Sequence, residues 1–182
     1  MPVSAVSQLR FVPVGQDDAL AQPLLDELAV EYATRYRGTI SGVGKWLRGY
    51  PAAEFEPPAG GMLVGLLDDV PVTGGAFRRF DDDTAELKRI WTDARYRRRG
   101  YARTLLSALE GELVARGYRR AYLTTGDRQP EAVALYLATG YYRLAEPLPA
   151  GGQSTQARLQ RSDPGNRAQG EVYPMAFAKE FS

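Results

Sequence analysis

One segment of the chain, residues 85–117, changes its hydrophobic period at a point where arginines crowd around a glycine. The run AELKRIWT is typical of a buried strand, and the apolar residues after Gly100 recur at helical spacing: Ala102, Leu105, Leu106, Leu109 and Leu113. The arginines around Gly100 are Arg95, Arg97, Arg98, Arg99 and Arg103. Because like charges this close repel, the cluster is either fully solvated or holds an anion.

The segments on either side extend this pattern into a mixed α/β (α+β) fold with helices flanking a twisted central sheet. We expect one domain over residues 1–182. Its predicted elements are a strand at 9–14, a helix from about 19 to 36, strands at 62–67, 70–80, 85–92 and 119–125, a helix at 130–139 and two closing strands. Asp17 or Asp18 can cap the first helix, whose start Pro23 delays, and Gly117 and Gly140 end the later helices.

Further predictions concern two irregular segments and the side-chain alternation of the fourth strand. Residues 38–60 contain at most one short helix between glycine and proline breakers, and residues 147–170 form a long polar loop. Strand alternation places Glu86, Lys88, Ile90 and Thr92 on one face of the sheet. The same alternation places Leu87, Arg89 and Trp91 on the opposite face.

Composition excludes several kinds of chemistry. The 182 residues include no cysteine and no histidine, which removes disulfides, thiolate zinc sites, a cysteine nucleophile and the commonest general base. Acid–base chemistry would therefore come from Asp, Glu, Tyr, Lys or a terminus, and we expect no metal. The net charge of +1 makes the arginines a local feature and argues against a nucleic-acid partner. With no apolar run of about 20 residues and no signal-like start, we expect a cytoplasmic protein with no membrane partner.

The arginine cluster has the features of a phosphate cradle. A helix beginning near Ala102 leaves its first N–H groups unpaired, and its dipole adds positive charge there. A glycine just before it admits a bulky anion, and arginines add forked hydrogen bonds. TISGVGKW departs from the Walker A pattern at two positions, and no G-x-G-x-x-G occurs. The pattern R/Q-x-x-G-x-G/A is matched by Arg97, Gly100 and Ala102.

On these residues the sequence resembles the GCN5-related N-acetyltransferase (GNAT) superfamily, over roughly residues 62–145. AELKRIWTDARYRRRGYARTLLSALE is similar to the family's strand–loop–helix unit, which holds the pyrophosphate of acetyl-CoA. QPEAVALYLATGYYRL is similar to its later helix and strand, with Gln129 where the family often has asparagine. Two motifs in the right order and spacing carry the resemblance.

The resemblance implies an acetyl-CoA-dependent N-acetyltransferase acting on a primary amine of a small molecule or peptide. The implied donor-binding residues are Trp91, Thr92, Arg97, Arg98, Arg99, Gly100, Tyr101, Ala102, Arg103 and Gln129. The sheet would be split near its fourth and fifth strands, residues 85–92 and 119–125, which would be parallel neighbours. The pantetheine arm would lie against the splayed end of the fourth strand, at the backbone of Trp91 and Thr92. Tyr136 matches the family tyrosine that protonates the departing thiolate. Glu86 matches the general base of histone-type members.

Alternatives stay open at this point. The arginines could form a solvated surface cluster or a nucleic-acid patch, and a CoA-binding sensor without catalysis would have the same motifs. Tyr136 could be a core residue, and Glu86 could pair with an arginine. The acceptor is unassigned, although Tyr32, Tyr36, Trp46 and Tyr50 could line its pocket. A monomer and a homodimer are both compatible with the sequence.

Overall fold

The structure, a computed structural model, describes residues 8–36, 38–149 and 174–182. Its strands are β1 (Arg10–Pro13), β2 (Gly61–Leu67), β3 (Val70–Arg79), β4 (Thr84–Thr92), β5 (Arg120–Gly126), β6 (Tyr142–Leu144) and β7 (Pro174–Glu180). Its α-helices are α1 (Gln22–Tyr36), α2 (Ile40–Arg48), α3 (Tyr101–Ala115) and α4 (Pro130–Ala138). The strands form one mixed sheet in the spatial order β1–β2–β3–β4–β5–β7–β6, which confirms the predicted fold class.

The helix boundaries follow the local signals in the sequence. Asp18 caps a short 3-10 turn by accepting from Leu20 N at 2.9 Å, and α1 begins only after it, next to Pro23. Gly117 and Gly140 have φ of 88° and 93°, the left-handed conformation that ends α3 and α4. Within the described ranges, no helix is both long and apolar enough to cross a bilayer.

The segment 38–60 is more structured than predicted. Besides α2 it contains a 3-10 turn, Ala52–Phe55, which buries Phe55 beneath α2. TISGVGKW, the stretch compared with a Walker A loop, instead forms the start of α2, where the Thr39 hydroxyl accepts from Gly42 N. Most of the predicted loop 147–170 lies outside the described residues.

The sheet opens between its two central parallel strands. β4 and β5 pair only through Thr84–Arg120, Ala85–Ala121 and Glu86–Tyr122. β5 then continues with β7 as its partner, while the β5-facing edge of residues 87–92 has no strand beside it in the described structure. This space between residues 87–92 and 123–126 is called the β4–β5 gap below. It confirms the split that was predicted between the fourth and fifth strands.

A β-bulge in β4 overturns the predicted alternation of its side chains. The register between β3 and β4 shifts between Gly74 and Ala76, and Arg89 has φ of 59°. Because the bulge inserts one residue, the alternation reverses after Lys88. Glu86, Lys88, Arg89 and Trp91 therefore share one face, whereas Leu87 and Ile90 pack on the other.

Each face of the sheet has its own core. α1 and α2 cover one face, where Leu24, Leu28, Leu47 and Trp91 are buried together. α3 and α4 cover the other, around Leu105, Leu109, Tyr136 and Phe177. The β4–β5 gap thus lies between two helical layers, and side chains from both can reach it.

Candidate active site

The turn before α3 leaves an open, positively charged helix end. Gly100 has φ of 81°, and a Cβ built on it would meet nothing within 4 Å. The first helical hydrogen bond runs from Thr104 N to Gly100 O at 3.1 Å. The N–H groups of Tyr101, Ala102 and Arg103 therefore have no partner within the helix and are free to bind an anion.

The arginines around this helix end differ in their partners. Arg97 is bound to Glu31 of α1 at 3.2 Å and also donates to Thr92 O at 3.3 Å. Arg98, Arg99 and Arg103 are exposed, and no described carboxylate forms an ion pair with them. Three unpaired guanidinium groups beside an uncapped helix N-terminus are the donor set that a pyrophosphate requires. The residues present therefore fit the diphosphate of acetyl-CoA.

The backbone of Trp91 and Thr92 lies at the open end of the β4–β5 gap. Trp91 O accepts from the Thr73 hydroxyl at 2.7 Å, on the side away from the gap. The Trp91 side chain is buried against α1, and its indole N–H is the one buried side-chain polar atom of the described residues without a partner. These contacts fix the end of β4, whose gap-facing edge has no strand beside it in the described structure, although the Thr92 carbonyl on that edge accepts from Arg97 Nε.

The ring of Tyr136 in α4 is buried, and its hydroxyl has no hydrogen-bond partner among the described residues, although it is not one of their fully buried polar atoms. Its ring packs against Tyr141 and Phe177, with centroids 5.8 Å away in both cases. Burial raises the pKa of Tyr136 above its ordinary value, and the Tyr32 hydroxyl raises it further. Tyr32 belongs to α1, which packs on the opposite face of the sheet.

Buried phenols of this kind make stability sensitive to alkaline pH. Burial raises the pKa of Tyr32, Tyr136 and Tyr141, and Glu110 also raises that of Tyr141. In the unfolded chain these groups lose their protons near pH 10, before they do in the fold, so rising pH favours unfolding. We expect the free energy of unfolding, measured with urea, to fall as pH rises above about 10. The fall should be shallower in Tyr141→Phe, and an equal slope in both proteins would contradict this.

Glu86 lies where β4 and β5 part, and its carboxylate is paired. Its Oε2 accepts from Arg78 Nε at 3.1 Å and lies 3.1 Å from Arg78 Nη2, while its Oε1 is 3.6 Å from Lys88 Nζ. Arg78 in turn binds Glu54 at 2.7 Å. The side chains of Arg78 and Glu86 are each 5% exposed, so this is a buried network. Within the described residues, no group of three or more potential ligands is placed to hold a metal ion.

The sequence comparison decides the family. The family model of the acetyltransferase (GNAT) family matches residues 25–141, which is most of the chain. The chain belongs to the GNAT family. This membership confirms the predicted donor, acetyl-CoA, which is the co-substrate that GNAT proteins use. We found no curated protein with significant sequence similarity to the chain.

Solved structures of GNAT and other acetyltransferases share the whole fold at low sequence identity. A GNAT family acetyltransferase from Staphylococcus aureus matches with a TM-score of 0.68 and 14% identity, covering 96% of this chain and 100% of its own. A GNAT family acetyltransferase from Elizabethkingia anophelis, with acetyl-CoA bound, matches with a TM-score of 0.61 and 14% identity, covering 95% of this chain and 98% of its own. PaiA N-acetyltransferase from Thermoplasma acidophilum, in complex with coenzyme A, matches with a TM-score of 0.65 and 13% identity, covering 96% of this chain and 99% of its own. At these identities the likeness establishes the fold.

Gln129, predicted to contact the donor, has a partner inside this GNAT fold. Its Nε2 donates to the Tyr36 hydroxyl at 3.0 Å. Tyr36 in turn lies so close to Gly126 that any Cβ there would overlap its hydroxyl. The end of α1 therefore covers the β5 side of the β4–β5 gap. This contact of Tyr36 with Gln129 has no counterpart in the sequence prediction, where Tyr36 lines the acceptor pocket.

Sequence reasoning missed two further residues at this site. Glu31 and Arg35 of α1 contact the loops on both sides of the β4–β5 gap: Glu31 binds Arg97, and Arg35 binds Glu131 and donates to Arg128 O at 2.7 Å. The available signal was their spacing of four residues, which places them on one helix face. Nothing in the sequence indicated that this helix face meets the loop between β4 and α3.

Proposed function

We propose that the protein transfers an acetyl group from acetyl-CoA to a primary amine of a small molecule or peptide. Bound acetyl-CoA supplies the thioester acyl group and the thiolate that leaves. The amine nitrogen forms the new C–N bond, the C–S bond breaks, and one N–H proton ends on the thiol. The chain must therefore hold the donor, expose its acyl carbon to the amine and manage one proton.

The observation that carries this proposal is the Tyr136 hydroxyl, which has no hydrogen-bond partner among the described residues although its ring is buried. A phenol hydroxyl without a protein partner is free to donate a hydrogen bond to a ligand. The open helix end at Gly100 and the free edge of β4 lie at the same end of the sheet. A phosphate site, an unpaired strand edge and a proton-bearing phenol suit acyl transfer from a CoA thioester.

The raised pKa of Tyr136 limits what this residue can do. It stays protonated at neutral pH, so it can donate a hydrogen bond but cannot serve as a base. A thiol with a pKa near 8.5 is a stronger acid than this phenol. We therefore assign Tyr136 to stabilising the departing sulfur by a hydrogen bond. The proton that the product thiol carries comes from the amine. A backbone N–H at the end of β4 is proposed to polarise the acyl carbonyl.

Glu86 stays a prediction as the general base. Its place at the divergence of β4 and β5 suits a carboxylate that receives the amine proton through water. Its ion pair with Arg78 is the competing role, because protonating the carboxylate would break that pair. The pH dependence of Glu86→Gln separates the two roles.

If Glu86 is the base, Glu86→Gln should reduce kcat/KM most at low pH, where most of the acceptor amine is protonated. The loss should shrink as pH rises and free amine accumulates. The variant should also lose about 3 kcal/mol of stability in urea unfolding, since Arg78 loses a buried partner. Glu54→Gln is the matched control, because it removes the other carboxylate from Arg78 and should show no such pH dependence. A kcat/KM loss that is equal at every pH would assign Glu86 to the ion pair alone.

A screen of amines with acetyl-CoA, read by release of free thiol, tests the proposed activity. Acetylation of at least one amine class supports it. Binding of acetyl-CoA without turnover on any amine would indicate a sensor. Oligonucleotide binding with steep salt dependence, in place of CoA binding, would indicate a nucleic-acid module.

A further inference from the structure

One face of α1 carries a stripe of charged residues that holds the loops around the β4–β5 gap. Glu27, Glu31 and Arg35 follow one another at intervals of four residues and so share this face. Glu27 accepts from Ala94 N at 2.8 Å, in the loop between β4 and α3. Glu31 binds Arg97 in that same loop, and Arg35 binds Glu131 at the start of α4. The stripe therefore connects both sides of the opening.

Glu31 is shared between two cations. Its Oε2 is 3.2 Å from Arg97 Nη2, and its Oε1 is 3.2 Å from Arg35 Nη2. Its side chain is only 19% exposed, whereas that of Arg97 is 41% exposed. The Arg97 contact thus forms at the edge of the protein, where a ligand can reach the guanidinium group.

Arg97 is unusual among the arginines that flank Gly100. Arg98, Arg99 and Arg103 form no ion pair with any carboxylate of the described ranges, so a diphosphate could bind them without displacing a partner. Arg97 begins the R-x-x-G-x-A motif, yet a protein carboxylate already holds it. A diphosphate approaching Arg97 would meet the negative charge of Glu31 at the same guanidinium group.

We propose that Glu31 competes with the donor's diphosphate for Arg97 and thereby sets the affinity for acetyl-CoA. This inference rests on the proposed function. Displacement of Glu31 is inexpensive because Arg35, one turn away, remains as its counterion, so no bare carboxylate is left half-buried. Glu31 is thus an affinity-determining residue that acts through Arg97 and need not contact the donor.

The prediction is that Glu31→Gln binds acetyl-CoA more tightly, although it removes an ion pair from the free protein. The Kd for acetyl-CoA should fall about two- to fivefold, which corresponds to the free energy of an exposed ion pair. Calorimetry gives the affinity, and thermal unfolding of the ligand-free protein should show equal or lower stability. If the role of Glu31 were purely structural, Glu31→Gln would lower both the acetyl-CoA affinity and the thermal stability. Asp26→Asn is the control, because Asp26 lies on the same helix but pairs with Arg48, and its acetyl-CoA affinity should be unchanged.

A double-mutant cycle shows whether the competition runs through Arg97. Arg97→Gln should weaken acetyl-CoA binding, while Arg98, Arg99 and Arg103 keep it measurable. Adding Glu31→Gln to this variant should then give no further gain. If Glu31→Gln still raises the acetyl-CoA affinity without Arg97, Glu31 repels the donor in general. If Glu31→Gln alone leaves the affinity unchanged or weaker, there is no competition. Either result overturns the inference. Wild-type protein that does not bind acetyl-CoA would instead refute the proposed function.

Discussion

Replacing Tyr136 by phenylalanine should lower kcat about 10²–10³-fold, the usual cost of removing one positioned hydrogen-bond donor from a developing negative charge. The ring and its contacts with Tyr141 and Phe177 remain, so the affinity for acetyl-CoA should change little. Stability should not fall, because the hydroxyl that is removed has no partner in the described structure. Steady-state kinetics on the true acceptor measures the effect, and calorimetry measures the donor affinity.

Tyr141→Phe is the matched control for this experiment. Tyr141 lies in the same aromatic cluster, but its hydroxyl donates to Glu110 of α3 at 3.0 Å. Its loss should reduce stability by about 1 kcal/mol and leave kcat nearly unchanged. A Tyr136→Phe protein with wild-type kcat would make Tyr136 a core residue only.

Replacing Gly100 by leucine should weaken acetyl-CoA binding by more than about 100-fold. Two effects act together: the left-handed φ of 81° is strained for any side chain, and the side chain projects into the open space at the N-terminus of α3. Loss of even two charge-assisted hydrogen bonds, at about 1.5–3 kcal/mol each, accounts for the size of the effect.

Gly117→Leu separates strain from loss of the site. Gly117 has φ of 88° and equally open surroundings, but it lies at the other end of the same helix. Both variants should lose about 1–2 kcal/mol of stability, and only Gly100→Leu should lose acetyl-CoA affinity. Unchanged calorimetric affinity in Gly100→Leu would remove the arginine loop from the donor site.

Features set by local chemistry could be predicted from the sequence. The helical spacing of Leu105, Leu109 and Leu113 defined α3, and Gly117 and Gly140 marked helix ends because left-handed residues are needed there. The parallel pairing of β4 with β5 followed from the α3 crossover between them. The arginines and Gly100 predicted an anion site, because a helix N-terminus and guanidinium groups together favour phosphate binding.

Features set by long-range contacts could not be predicted from the sequence. The bulge at Arg89 places an arginine in a conformation that this residue rarely adopts, and it is compensated by packing: the buried guanidinium group lies over the Phe55 ring and donates to Gln16 and to the Leu47 carbonyl. Burial lowers the pKa of Arg89 to about 10. The contact of Glu31 with Arg97 joins residues 66 positions apart, and no local pattern encodes it.

The most direct test of the proposed transfer is the stoichiometry of its two products. Wild-type protein, acetyl-CoA and an amine identified by the screen are allowed to react, and free thiol and acetylated amine are quantified together, the latter by mass spectrometry. We predict equal amounts of CoA thiol and N-acetyl product, both formed far more slowly by Tyr136→Phe. Thiol release without acetylated amine, or acetyl-CoA binding with neither product for any amine, would contradict acetyl transfer to an amine.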